Sequence, residues 1–219
     1  MRTCIPRVRS GAAVLVAVLA AHSAFAVEVV SGKLWHVTDA VARSATPANV
    51  PGTTPDVTFD VNSPLNFNSP GSVQSFLSSA SAFNIVENTP GTLSSAISNG
   101  TTSTLISFAG LVSVTSGQKF TVTHDDGLTL VIGSTNLGFS TGPTAPVTST
   151  ATYSGPTGTF PFQLVYGECC AGSAVLQVSL PFANAVPEPA SSALLLLGVA
   201  TLAARRRLFS QELSRITKV

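Results

Sequence analysis

Hydrophobic and polar positions follow different rules along the 219-residue chain. Gly11 to Ala21 is an almost unbroken apolar run, and Ala190 to Ala204 is a second one, uncharged and dominated by Ala and Leu. Between them, short stretches alternate apolar with polar residues and are broken by Gly, Pro and Asn, the period-2 signature of half-buried strands. The alternation is clearest after residue 100. Leu105, Phe108 and Leu111 to Val114 predict one strand region. Phe120 to Thr123 and Leu128 to Ile132 predict two more, joined by His124-Asp125-Asp126-Gly127. Asp-Gly between β-rich runs predicts a hairpin, with Gly127 supplying a positive φ. Phe160 to Tyr166 and Ala174 to Leu180 predict a second strand pair across Gly167 to Ser173. Helical spacing is scarce: Leu34 to Val41 is mixed, and Val73 to Ile85 reads as a short helix or as two strands. Pro47 to Pro55, Asn62 to Gly71 and Gly133 to Pro156 read as loops, and no internal repeat is visible. Many short strands with turn punctuation predict an all-β fold, a single β-sandwich within residues 27–185.

The two apolar runs have flanks that give them separate meanings. Arg2, Arg7 and Arg9 precede the first, and Ala24-Phe25-Ala26 follows it with small side chains at Ala24 and Ala26. A basic start, a short apolar helix and a small-x-small ending are the layout of a secretory signal peptide, residues 1–26, cut by signal peptidase after Ala26. The second run follows Val186-Pro187-Glu188-Pro189 and is closed by Arg205, Arg206 and Arg207. Both prolines lock φ and remove a donor, so a helix begins only after them. The 15 apolar residues span roughly 22 Å as a helix, against a hydrocarbon core of roughly 30 Å. A short transmembrane helix therefore relies on snorkelling arginines and local thinning, with the arginine flank cytoplasmic and the Pro-Glu-Pro flank outside.

Pro187-Glu188-Pro189, the apolar helix and the arginine cluster resemble the PEP-CTERM sorting signal of Gram-negative bacteria over residues 186–207. The resemblance implies recognition and processing by exosortase, a membrane-embedded cysteine protease. It also implies an inner-membrane intermediate and final delivery to the cell surface or an exopolysaccharide-rich biofilm matrix. Leu208 to Val219 forms a C-terminal tail beyond the arginines, where that family usually ends.

Charge changes meaning once the ends are set aside. The whole chain is formally +1, but residues 27–185 carry only Lys33, Arg43 and Lys119 against Glu28, Asp39, Asp56, Asp60, Glu87, Asp125, Asp126 and Glu168, a net −5. Three scattered cations give no electrostatic footprint for a phosphate backbone, so nucleic acid is not an expected partner.

The segment from Phe120 through Asp125-Asp126-Gly127 to Gly133, then Phe160 to Glu168, then Ala174 to Val178, resembles the protective-antigen-type β-sandwich. That lectin-like module occurs in bacterial toxins, glycosidases and yeast flocculins, and the resemblance is clearest over residues 100–182. It implies that Asp125 and Asp126 hold Ca²⁺, which in turn binds sugar hydroxyls of a polysaccharide. Asn136 is a further ligand candidate by side-chain type alone. The chemistry is sound in itself, since Ca²⁺ takes six to eight hard oxygens and two adjacent carboxylates supply some of them. The alternative use of the same pair is a solvated turn.

Once Cys4 leaves with the signal peptide, Cys169 and Cys170 remain. In an oxidising compartment three readings stay open: a vicinal disulfide, an intermolecular link, or two thiols held in a loop. No nucleophile elbow, zinc-protease motif or phosphate loop is present in the sequence. Asp125 or Asp126 with Glu168 forms the one carboxylate pair suited to glycoside hydrolysis. Trp35 and Tyr166 suit sugar stacking or core packing. The expectation is a non-catalytic exported surface protein of adhesive character, with a matrix glycoside hydrolase and a ligand-free structural protein as the rivals.

Overall fold

The computed structural model describes residues 29–180; the expected signal peptide, sorting signal and tail lie outside them. β1 (Val29–Thr38) runs into a single helical turn, α1 (Asp39–Ala42), and a 3-10 turn at Pro47–Asn49. β2 (Val57–Asn62), β3 (Leu65–Asn68), helix α2 (Val73–Ser79) and β4 (Phe83–Glu87) follow, then the long β5 (Thr102–Val114). β6 (Lys119–Asp125), β7 (Leu128–Ile132), β8 (Thr135–Asn136), β9 (Val147–Thr152), β10 (Gly158–Glu168) and β11 (Val175–Val178) complete the order. Seven strands form one sheet in the order β4-β2-β1-β5-β10-β7-β8, and four form the other, β3-β11-β6-β9. Every pairing between these strands is antiparallel. The expected β-sandwich is the fold.

The alternation read from the sequence does what it should. In β6, Phe120 and Val122 face inward while Lys119 and Thr121 are exposed, and in β3 Leu65 and Phe67 are buried between exposed asparagines. The inward sets meet in one core. Phe67 crosses from the smaller sheet to stack on Phe76 of α2 at 4.8 Å, and it packs against Phe59 and Phe108 of the larger sheet at 6.2 and 5.5 Å. Phe76 in turn lies parallel to Tyr166 at 6.1 Å. Ser72 starts α2 by accepting the Ser75 amide on its Oγ at 3.2 Å, and Val73, Phe76 and Leu77 are the face it buries. A smaller cluster of Leu105, Val165 and Ala45 lies on the outer side of the larger sheet, beneath residues 37–50. It explains why consecutive residues of β5 and β10 are buried where plain alternation would expose every second one.

Two expected hairpins are corrected. β6 and β7 belong to different sheets, as do β10 and β11, so Asp125 to Gly127 and Cys169 to Ala174 are crossings between layers. Alternation within a strand is the same whether its successor lies beside it or opposite it, and periodicity cannot separate the two cases. Gly127 does not adopt a positive φ. It is needed for space: a Cβ there would lie 2.1 Å from the carbonyl oxygen of Thr141. Two expected loops also contain strands. Residues 62–71 include β3, and residues 133–156 include β8 and the Thr-rich edge strand β9, which pairs with β6. Val73 to Ile85 is one helix followed by the start of a strand.

Candidate calcium and saccharide cleft

Both crossings come out at the same end of the sandwich, and they build one site. An open cleft of about 380 Å³ is lined by Asp125, Asp126, Pro143 to Pro146, and Cys169 to Ser173. Asp125 ends β6 and Asp126 follows it through a cis peptide bond. Both side chains are buried at the cleft floor, 7% and 4% exposed, with Glu168 behind them at 1%.

Hydrogen bonds hold the acidic pair in place. Asp126 accepts the Thr144 amide on Oδ1 at 3.0 Å and the Cys169 amide on Oδ2 at 2.8 Å, so one carboxylate ties together the two loops that wall the cleft. Its own carbonyl oxygen lies 2.5 Å from His124 Nδ1. A carbonyl only accepts, so Nδ1 carries a proton, while Nε2 is hydrogen-bonded with Ser149 Oγ at 3.0 Å. Tyr166 Oη lies 2.6 Å from Glu168 Oε2 and bonds the Asp125 carbonyl oxygen. The phenol has one proton, which it directs at these two acceptors, the Asp125 carbonyl and the Glu168 carboxyl. Burial, together with Asp126 and Asp125, pushes the Glu168 carboxyl up to about 9, although the bond donated by Tyr166 opposes the shift. Burial and the neighbouring Asp126 push Asp125 up to about 6.

The cysteine loop is also anchored from outside the cleft. Asp39 receives the Cys170 amide and the Ser103 hydroxyl on Oδ1, both at 3.1 Å, and Arg43 Nε on Oδ2 at 2.5 Å. The hydrogen bond from Arg43 is the main reason its carboxyl stays below the ordinary range. Cys170 and Ala171 adopt left-handed φ of 70° and 56°, a conformation costing non-glycine residues roughly 1–3 kcal/mol each. In the structure Cys169 and Cys170 are joined as a vicinal disulfide. Asp39 and the two sulfurs lie within 4.8 Å of one another, but disulfide sulfurs are not thiolates and offer a zinc ion no soft ligand.

The sequence-predicted residues thus divide cleanly. Asp125, Asp126, Cys169 and Cys170 converge on the cleft. Asn136 does not line it and instead accepts the Gly138 amide. Glu168 is buried against Tyr166 and is not among the lining residues, and Tyr166 itself is fully inside the core. Trp35 is buried too, its Nε1 donating to the Thr53 carbonyl. The Pro143–Pro146 wall and the Asp39 anchor were not foreseen; neither carries a periodic or spacing signal.

Apo stability should therefore fall as pH rises through the neutral range. A group whose folded pKa is raised contributes stability that is whole below its unfolded value and is lost as pH climbs through the folded one. For Asp125 that loss is complete by about pH 6 and for Glu168 it continues up to about pH 9. Between pH 7 and 8.5 in chelator, urea unfolding should show stability dropping by on the order of 1 kcal/mol per pH unit. Glu168→Gln should flatten the slope. A flat parent profile would mean that Glu168 is ionised in the folded chain.

Residues 185–207 match the PEP-CTERM protein-sorting motif. The chain thus carries a signal for sorting by exosortase, a membrane enzyme, and for export to the cell surface. No curated protein matches it by sequence. Among solved structures it is similar to the PA14 sugar-binding domain from an RTX adhesin, at 21% identity and TM-score 0.48, over 71% of this chain and 90% of that one. It is also similar to the PA14 domain of the MpAFP antifreeze protein, at 17% identity and TM-score 0.49, over 76% and 89%. Among the described residues no helix is long and apolar enough to cross a membrane; Ala190 to Ala204 lies outside them.

Proposed function

We propose that this is a non-catalytic surface or matrix protein of a Gram-negative bacterium whose sandwich binds Ca²⁺ at Asp125 and Asp126 and, through the ion, saccharide hydroxyls. On this reading residues 1–26 are removed on export, 27–185 are the binding domain, 186–207 are processed by exosortase, and 208–219 are a cytoplasmic tail. The observation that carries it is the buried acidic floor of the cleft. Among the described residues the two carboxylates share a pocket lined by no Lys or Arg, and the single ion pair, Arg43–Asp39, involves neither of them. Burying like charges together is costly unless a counter-ion joins them. Hard oxygens select Ca²⁺ over softer metals, and each Asp126 oxygen keeps a lone pair after accepting its amide. An open cleft leaves room for waters or sugar hydroxyls to complete the shell. Glu168 sits behind the floor, bonded by the Tyr166 hydroxyl and outside the cleft lining, which supports binding over glycoside hydrolysis.

Calcium should raise the melting temperature of the full chain, reversibly with chelator, by the equivalent of about 2.7 kcal/mol when the free ion is 100-fold above its Kd. Retention on a glycan panel should require the ion, and the same panel should show no turnover. Calcium-independent melting would end the reading, and turnover would replace it with the hydrolase.

A further inference from the structure

The cleft has an apolar side that the acidic floor does not explain. Among the described residues its lining contains no aromatic ring and no Lys or Arg; beyond the two aspartates it consists of Pro143, Ala145, Pro146, the Cys169–Cys170 pair and small or hydroxylated residues. A pyranose needs two kinds of contact: polar groups for its hydroxyls, and a flat apolar surface for the face made of C–H bonds. Here the candidates for that surface are the prolines, the alanines and the disulfide. The vicinal bridge closes a small covalent ring on the cleft wall. Its sulfurs are polarisable, and contact with them rewards close packing. The ring is also held still, by the Cys169 amide on Asp126, the Cys170 amide on Asp39 and the Ala171 amide on Ser98. A surface fixed before binding loses little entropy when a ligand docks.

Resting on the calcium reading above, we propose that the Cys169–Cys170 disulfide is the selectivity wall of the saccharide subsite, receiving the C–H face of a neutral pyranose held edge-on at Asp125 and Asp126. The two aspartates already balance the charge of one Ca²⁺, and no Lys or Arg joins them in the described lining. A uronate would bring a third carboxylate with no further cation, which sets the preference for a neutral ring. A hydroxyl projecting from the face that meets the sulfurs would lose its water without a partner, so the wall discriminates between epimers.

The test uses the full chain, with Ca²⁺ alone and then methyl glycosides of epimeric hexoses and of a hexuronate as probes. In the Cys169→Ala/Cys170→Ala double variant, Ca²⁺ affinity should stay within twofold of the parent. Pyranoside affinity should fall roughly tenfold, and discrimination between epimers should collapse. Dithiothreitol acting on the folded parent should reproduce the loss without requiring the variant to fold, and it should leave the double variant unchanged. Pyranoside affinity and epimer preference that survive reduction would overturn the wall. So would an equal fall in Ca²⁺ affinity, which would make the bridge only a loop staple, or equal binding of the uronate. A parent that binds no Ca²⁺ would instead bring down the calcium reading, and the wall with it.

Discussion

Phe67→Ala should lower the stability of the sandwich by about 4 kcal/mol, the usual cost of emptying a large aromatic site in a core. Phe67 is fully buried and is the ring through which the smaller sheet reaches the larger one, touching Phe59, Phe108 and Phe76. Its strand worsens the loss. β3 is a four-residue edge strand paired only to β11, with Leu65 as its other inward side chain. Simple collapse does not heal the gap, because moving β3 inward would break the Asn68 amide bond to Ser79 and the Ser69 amide bond to Ala174. Domains commonly hold about 5–15 kcal/mol in total. At about 2 kcal/mol per molar urea, the midpoint should move down by roughly 2 M. Leu111→Ala is the control: Leu111 is half-exposed and should shift stability by less than about 0.5 kcal/mol. Equal shifts for the two variants would mean that Phe67 does not join the layers.

How the sequence revealed these features differs from residue to residue. Leu65-Asn66-Phe67-Asn68 alternates as plainly as any strand in the chain, yet it sits among prolines and asparagines, and that punctuation hid it. β9 is harder. Val147 to Thr152 alternates Thr with Ser and Ala, so neither side of the strand is strongly apolar. Its evidence is cross-strand, in the Thr148–Thr123 and Thr150–Thr121 hydroxyl contacts with β6, and no local pattern announces a partner that lies more than twenty residues away. The acidic floor was legible because two adjacent aspartates are conspicuous in a chain with so few charges. Their surroundings were not. Local propensity read Asp125-Asp126-Gly127 as a tight turn in water, whereas tertiary structure buries it and gives Gly127 the task of letting the Thr141 backbone pass. Pro143 to Pro146 reaches the cleft only because Asp126 holds the Thr144 amide, a contact across 18 residues of chain that composition cannot indicate.

Asp126→Ala and Asp125→Asn should separate the two tasks of the acidic pair. In chelator, Asp126→Ala should lose about 3 kcal/mol, because the Cys169 amide is left buried without an acceptor and the Thr144 amide loses a charged one, each such loss being worth about 1–3 kcal/mol. Asp125→Asn should be at least as stable as the parent at pH 8 in chelator. Its side chain brings a charge into a buried site beside Asp126, and removing that charge relieves the burial penalty, and with it the repulsion from Asp126, that raise its pKa to about 6. With Ca²⁺ added the order changes: the parent should gain stability and both variants should gain almost none, since either substitution takes a carboxylate from the ion. Urea midpoints measured for the three proteins with and without Ca²⁺ give the full comparison. Parental calcium response in Asp126→Ala would remove the ion from this floor. An unchanged midpoint for Asp126→Ala in chelator would show that the two cleft walls stand without it. A loss in Asp125→Asn as large as in Asp126→Ala would mean that Asp125 supports the fold directly, so that the stability it sacrifices in the apo state is not held in reserve for a ligand.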